Sequence, residues 1–111
     1  MSFFETQEQV LSQKKTVTRR QGWKNLKVGD LIQPIEKGMG LKRGEKQKLV
    51  GGLIRVVKVS REPINAITQG DCAREGFPQM SPEGFVDFYC GFNKCKPTEL
   101  CTRIEFEYLE N

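Results

Sequence analysis

The chain has no histidine among its 111 residues. Its absence removes the commonest general base and excludes any Ser-His or Cys-His catalytic pair. Chemistry, where there is any, has to run on Lys, Glu, Asp, Tyr, Thr or Cys. Long apolar runs are also missing, since none approaches the ~20 residues that cross a bilayer as a helix. The opening Met1-Ser2-Phe3-Phe4-Glu5 has neither the basic nor the apolar region of a secretory signal, so a cytoplasmic protein is expected. There is no G-x-x-x-x-G-K-[ST] loop to cradle a nucleotide phosphate, and no internal repeat.

Cysteine is sparse but present: Cys72, Cys90, Cys95 and Cys101. In a cytoplasmic chain these are expected as reduced thiols packed as small hydrophobes. The spacing of the last three is looser than the paired C-x2-C of a zinc ribbon. Neither a metal nor a cofactor is expected.

What the chain does contain is a folded protein's share of apolar residues, 37%, with seven Phe, two Tyr and one Trp. Its length suits one domain over residues 1–111 with a single hydrophobic core. The net charge of +4 is unevenly spread. Residues 13–61 carry fourteen Lys/Arg against three Asp/Glu, whereas residues 62–111 carry four against nine. A basic half concentrates anions, and nucleic acid is the usual partner for such a field.

Along the chain, Phe3-Phe4 reads as a short strand and Glu5 to Gln13 as a short helix with Val10 and Leu11 facing the core. Thr16 to Arg20 alternates as a strand. Leu26 to Asp30 is a turn feeding a strand from Leu31 to Glu36, which Pro34 confines to an edge or a bulge. Residues 37–48 form a basic glycine loop. A long strand over Leu49 to Ser60, bent at Gly51-Gly52, ends before Pro63. A short helix runs through Asp71 to Glu75 and closes at Gly76. A second begins with Ser81 as N-cap and Pro82 at the first helical position, its apolar face being Phe85, Val86, Phe88 and Tyr89. Gly91 to Glu99 reads as a loop, and Cys101 to Leu109 alternates as a half-buried strand. The sum is an α+β fold: a small curved sheet, open or closed into a β-barrel, with two or three short helices.

The segment that carries chemistry is Gln13-Lys14-Lys15-Thr16-Val17-Thr18-Arg19-Arg20. Four cations and two hydroxyls this close together form a candidate site for a phosphate, a nucleobase oxygen or an acyl carbonyl. Lys14, Thr16 and Arg20 are candidate ligand contacts, Trp23 a candidate stacking platform, and Lys42 and Arg43 candidate phosphate contacts in the glycine loop. A solvated edge strand with β-forming threonines is the plain alternative.

The same segment resembles the signature of the ASCH family, G-x-K-x-x-T-x-R. Lys15, Thr18 and Arg20 match it, and Gln13 stands in place of the leading Gly. Val28-Gly29-Asp30 resembles the family's turn before its next strand, and Arg103-Ile104-Glu105-Phe106 its last strand. The resemblance implies a PUA-like β-barrel that binds RNA or a modified pyrimidine nucleoside. One bacterial branch of the family consists of amidohydrolases acting on N4-acetylcytidine. The matching catalytic positions here are Lys15, Thr18 and Glu75. In that chemistry a neutral Lys activates the Thr hydroxyl, and Glu75 protonates the leaving amine. Strand alternation separates Lys15 from Thr18, so the two meet only if Lys15 precedes the strand. A protein-interaction module using the acidic half or the Phe85/Phe88/Tyr89 helix is a third reading.

Overall fold

The computed structural model describes residues 1–37, 44 and 46–109. The sheet is antiparallel, four-stranded and curled into a half-barrel. Its strands are β1 (Val17–Arg20), β2 (Leu31–Ile32), β3 (Ile54–Pro63) and β4 (Leu100–Tyr108), in the order β1-β4-β3-β2. Among the described residues, three α-helices accompany it: α1 (Gln7–Leu11), α2 (Gln69–Arg74) and α3 (Pro82–Asn93). The α+β architecture expected from the sequence is therefore present. Among the described residues, no helix is long and apolar enough to cross a membrane.

Several elements depart from their sequence expectation for local reasons. Phe3-Phe4 is not a strand. Ser2 makes one parallel bridge to Ile35, and Phe4–Thr6 is a 3-10 turn running into α1. Phe3 packs edge-on against Phe106, with ring centroids 6.1 Å apart. Leu11 does not face the core: it is 61% exposed while Val10 is buried, because so short a helix offers the core only one narrow stripe. The ladder of β2 stops at Ile32, before Pro34, which has no N–H to donate.

The long strand is shifted toward the C-terminus. It starts at Ile54, beyond the Gly51-Gly52 turn, and its bend is a bulge between Val56 and Lys58. Helix α3 opens as read, with Ser81 Oγ accepting from the Gly84 N–H at 3.0 Å. It continues to Asn93, past the expected loop start at Gly91, until Lys94 adopts a left-handed φ of 53°.

β4 lies between β1 and β3 and links two apolar clusters. Ile104 and Phe106 belong to one, with Phe3, Val10, Ile32, Ile54 and Val56. Cys101 belongs to the other, with Ile64, Ile67, Cys72, Phe85, Val86 and Tyr89. The single core expected from chain length is thus divided. Arg103 of β4, alternating with core residues, is buried too. It meets the Asp71 carboxylate of α2 rather than solvent, so β4 is covered where the alternation predicted water.

Candidate functional site

The position of Lys15 follows from how α1 ends. The Gln13 N–H donates to the Val10 carbonyl at 3.0 Å and the Lys14 N–H to the Gln9 carbonyl at 2.9 Å. Gln13 itself has φ +60°. This is the paired hydrogen-bond pattern of a Schellman stop, which ordinarily places glycine at the left-handed residue. Gln13 is also where the signature has its glycine. α2 ends in the same way: Gly76 N–H to Ala73 O at 3.0 Å, and Phe77 N–H to Cys72 O at 2.9 Å, with Gly76 at φ +101°. The two helix ends touch. A Cβ on Gly76 would lie 2.8 Å from Gln9 Cγ.

This contact brings Lys15, just beyond the α1 stop, to Glu75, the last residue before the α2 stop. Both are 3% exposed. Lys15 Nζ donates to Glu75 Oε1 at 2.8 Å and to the Glu75 carbonyl at 2.7 Å. The segment is fixed further by the Thr16 N–H donating to the Arg74 carbonyl at 2.8 Å and by the Tyr108 hydroxyl donating to the Lys15 carbonyl. Lys15 therefore precedes β1, the condition that strand alternation set for it to approach Thr18.

Glu75 is shared. Arg19 Nη1 donates to its Oε2 at 3.1 Å, while Arg19 Nη2 reaches Asp71 Oδ2 and Glu62 Oε2. Asp71 also accepts a two-point contact from Arg103, at 2.7 and 3.0 Å, and one bond from Arg74 at 2.9 Å. The hydrogen bonds from Arg103 and then Arg19 outweigh burial and hold the Asp71 carboxyl well below the usual carboxylate range. Burial lowers the pKa of Lys15, and the Glu75 carboxylate opposes that shift. In this network, cations of the basic half meet carboxylates of the acidic half. Part of the charge asymmetry is consequently satisfied inside the protein and does not face a partner.

Beside the network lies a cavity of about 230 Å³. Lys15, Thr18, Arg19, Arg20 and Glu75 contribute polar groups to it, and Phe3, Phe4, Phe77, Phe85, Phe88, Tyr89 and Phe92 line its walls. Arg20 Nε donates to Thr18 Oγ1 at 3.1 Å, and its guanidinium carbon lies 4.8 Å from the Phe3 ring centroid. Those contacts leave the terminal nitrogens of Arg20 with no carboxylate partner among the described residues. The Tyr89 hydroxyl donates to Gln21 Oε1 at 3.2 Å, and burial raises its pKa.

Of the candidate residues, Lys15, Thr18, Arg20 and Glu75 are brought together around the cavity. Lys14, Thr16 and Trp23 are not among its lining residues. Lys14 is exposed, Thr16 is tied by its backbone to α2 and β4, and Trp23 is 45% exposed at a left-handed φ of 60°. Lys42 and Arg43 lie outside the described residues. Sequence reasoning missed Arg19, Asp71 and Arg103, because charged residues in alternating strands, as Arg19 and Arg103 are, or in a short helix, as Asp71 is, read as solvent-facing. It also missed the aromatic wall. Phe85, Phe88, Tyr89 and Phe92 recur at helical spacing, and that stripe was the available signal. Phe85 and Tyr89 are buried against the cavity and do not form a free docking face.

No family model matches the chain, and no curated protein does. Among solved structures, the chain is similar to protein EF3133 from Enterococcus faecalis V583, a DUF984 protein. The TM-score is 0.67 at 18% identity, over 96% of this chain and 74% of that one. At that identity the likeness shows a shared fold.

Proposed function

We propose that the chain is an ASCH-type, PUA-like module whose cavity takes a modified pyrimidine nucleoside, free or presented in RNA. One observation carries the reading: the signature residues Lys15, Thr18 and Arg20 converge with Glu75 on a single aromatic-walled cavity. A planar base stacks on aromatic rings, each such contact contributing ~1–3 kcal/mol. The volume of about 230 Å³ lies below the ~300 Å³ at which drug-sized sites begin, which suits a base or nucleoside. Lys15 and Arg19 are already neutralised by carboxylates, so Arg20 is the group placed to meet a carbonyl or anionic oxygen of the ligand.

Equilibrium dialysis against N4-acetylcytidine, cytidine and adenosine tests this. The expected result is retention of the modified pyrimidine over adenosine. Equal retention of all three, or of none, contradicts it. If the base is presented in RNA, affinity for short RNA falls steeply with added salt, as phosphate contacts require.

A second reading, amide hydrolysis of the N4-acyl group, is favoured by the Lys15–Glu75 pair standing in the same cavity as Thr18. Thr18 Oγ1 attacks the acyl carbonyl, Lys15 takes its proton and passes it to the Glu75 carboxylate, and Glu75 hands that proton to the departing amine. Water then hydrolyses the acyl-threonine to acetate. In the resting arrangement Lys15 Nζ is bonded to Glu75, so this route needs Lys15 to turn from Glu75 to Thr18 when substrate binds.

A further inference from the structure

Two of the four thiols face each other across the last turn of α3. Cys95 Sγ lies 3.7 Å from Cys90 Sγ, and the Cys95 N–H donates to the Cys90 carbonyl at 3.3 Å. Both residues are partly exposed, whereas Cys72 and Cys101 are fully buried. We propose that Cys90 and Cys95 form a dithiol modification site that a hydroperoxide closes to an intramolecular disulfide.

The step balances as two thiols plus one hydroperoxide ROOH giving one disulfide, ROH and water. One thiolate attacks the peroxide oxygen to give a sulfenic acid and release ROH. The second thiolate attacks that sulfur and expels water, so both electrons reach the peroxide. Three features favour closure within the pair. The sulfurs are already in contact, the backbone bond holds the two residues together, and the remaining thiols are shielded from the oxidant. Closure also has a structural reach. Phe92 and Asn93 line the cavity from the turn that the bridge would fix, and Tyr89 lines it from the residue just before. The inference does not depend on what the cavity binds.

Burial, followed by the neighbouring Cys90, pushes the Cys95 thiol up to about 11. Little Cys95 thiolate is therefore present at neutral pH, and its share in closure rises with pH. A reducing environment keeps the pair open.

The test treats the full chain with hydrogen peroxide, blocks remaining thiols after unfolding, and maps peptides without reduction. The expected product is a Cys90–Cys95 peptide lighter by two hydrogens, reversed by dithiothreitol, with Cys72 and Cys101 recovered as blocked thiols. Its formation is faster at pH 9 than at pH 7, and the bridge raises Tm by roughly 5 °C. Cys90→Ser and Cys95→Ser each abolish it. Four free thiols after treatment, a bridge to Cys72 or Cys101, or sulfinic acid as the main product at either residue would overturn the proposal.

Discussion

Lys15 Nζ sits 2.8 Å from the Glu75 carboxylate and 2.7 Å from the Glu75 carbonyl, so a single residue meets the ammonium with both side chain and main chain. The end of a helix offers both groups to one donor, because its last carbonyls lack intrahelical partners. The pair thus joins the signature segment to α2 through geometry that neither segment has alone.

Breaking that pair from one side leaves a buried charge uncompensated. Glu75→Ala, which strands Lys15 and takes from Arg19 one of its three carboxylate partners, is expected to cost about 3–5 kcal/mol of stability in urea unfolding. A loss under about 1 kcal/mol would show that the network is solvated.

The α1 stop gives the opposite sign. Gln13 holds φ +60°, a conformation costing an L-residue about 1–2 kcal/mol. Gln13→Gly removes this cost but adds chain freedom to the unfolded state, for a net gain of about 0.5 kcal/mol. Gly76→Ala should lose more than ~2 kcal/mol, since its Cβ meets Gln9 Cγ at 2.8 Å and its φ is +101°. Denaturation midpoints of the two variants moving in the same direction would contradict the matched-stop geometry.

Much of the fold was legible in the chain, and the failures have physical causes. Ser81-Pro82 announced α3, and the alternation of Ile104, Phe106 and Tyr108 announced β4, because capping and pleat act locally. Asp71, Arg19 and Arg103 were illegible because each is buried by a partner from a distant segment. Alternation records which residues share a face, and cannot tell whether another element covers it. Gln13 hid a left-handed turn that glycine would have advertised. Lys15, Thr18, Arg20 and Glu75 were singled out through the resemblance to the ASCH signature and the segment after the long strand, and the four line one cavity. The aromatic wall they share came only from packing, which brings Phe3, Phe4 and Phe77 against the face of α3.

Acid should probe the Asp71 hub selectively. Its pKa is depressed in the folded state, chiefly by the hydrogen bonds from Arg103 and then Arg19. Its contribution to stability is therefore complete above the unfolded value of ~3.9 and is lost as pH falls below it toward the folded pKa. Tm measured between pH 5 and pH 2 is expected to fall along this limb. Asp71→Asn lowers Tm at pH 5 and flattens the slope below about pH 4. An unchanged slope in the variant would assign the acid loss to other carboxylates.

Hydrolysis, if the second reading holds, carries a pH signature of its own. Lys15 must be neutral to take the Thr18 proton, and burial lowers its pKa from the ordinary ~10.4. Release of cytidine from N4-acetylcytidine is expected to climb with pH and level off below that ordinary value. Lys15→Arg, which cannot serve as a base, should abolish turnover while keeping the positive charge. Turnover by that variant, or a rate that falls as pH rises, contradicts Lys15 as the base.

The most direct measurement is calorimetric titration of N4-acetylcytidine into the wild-type chain and into Thr18→Val and Arg20→Gln, each first shown to be folded. Saturable binding to wild type that weakens about tenfold or more in both variants, as loss of a buried hydrogen bond worth about 1.5–3 kcal/mol requires, is the predicted result. Binding that is absent from wild type, or equally strong in all three proteins, would show that this cavity is not a nucleoside site.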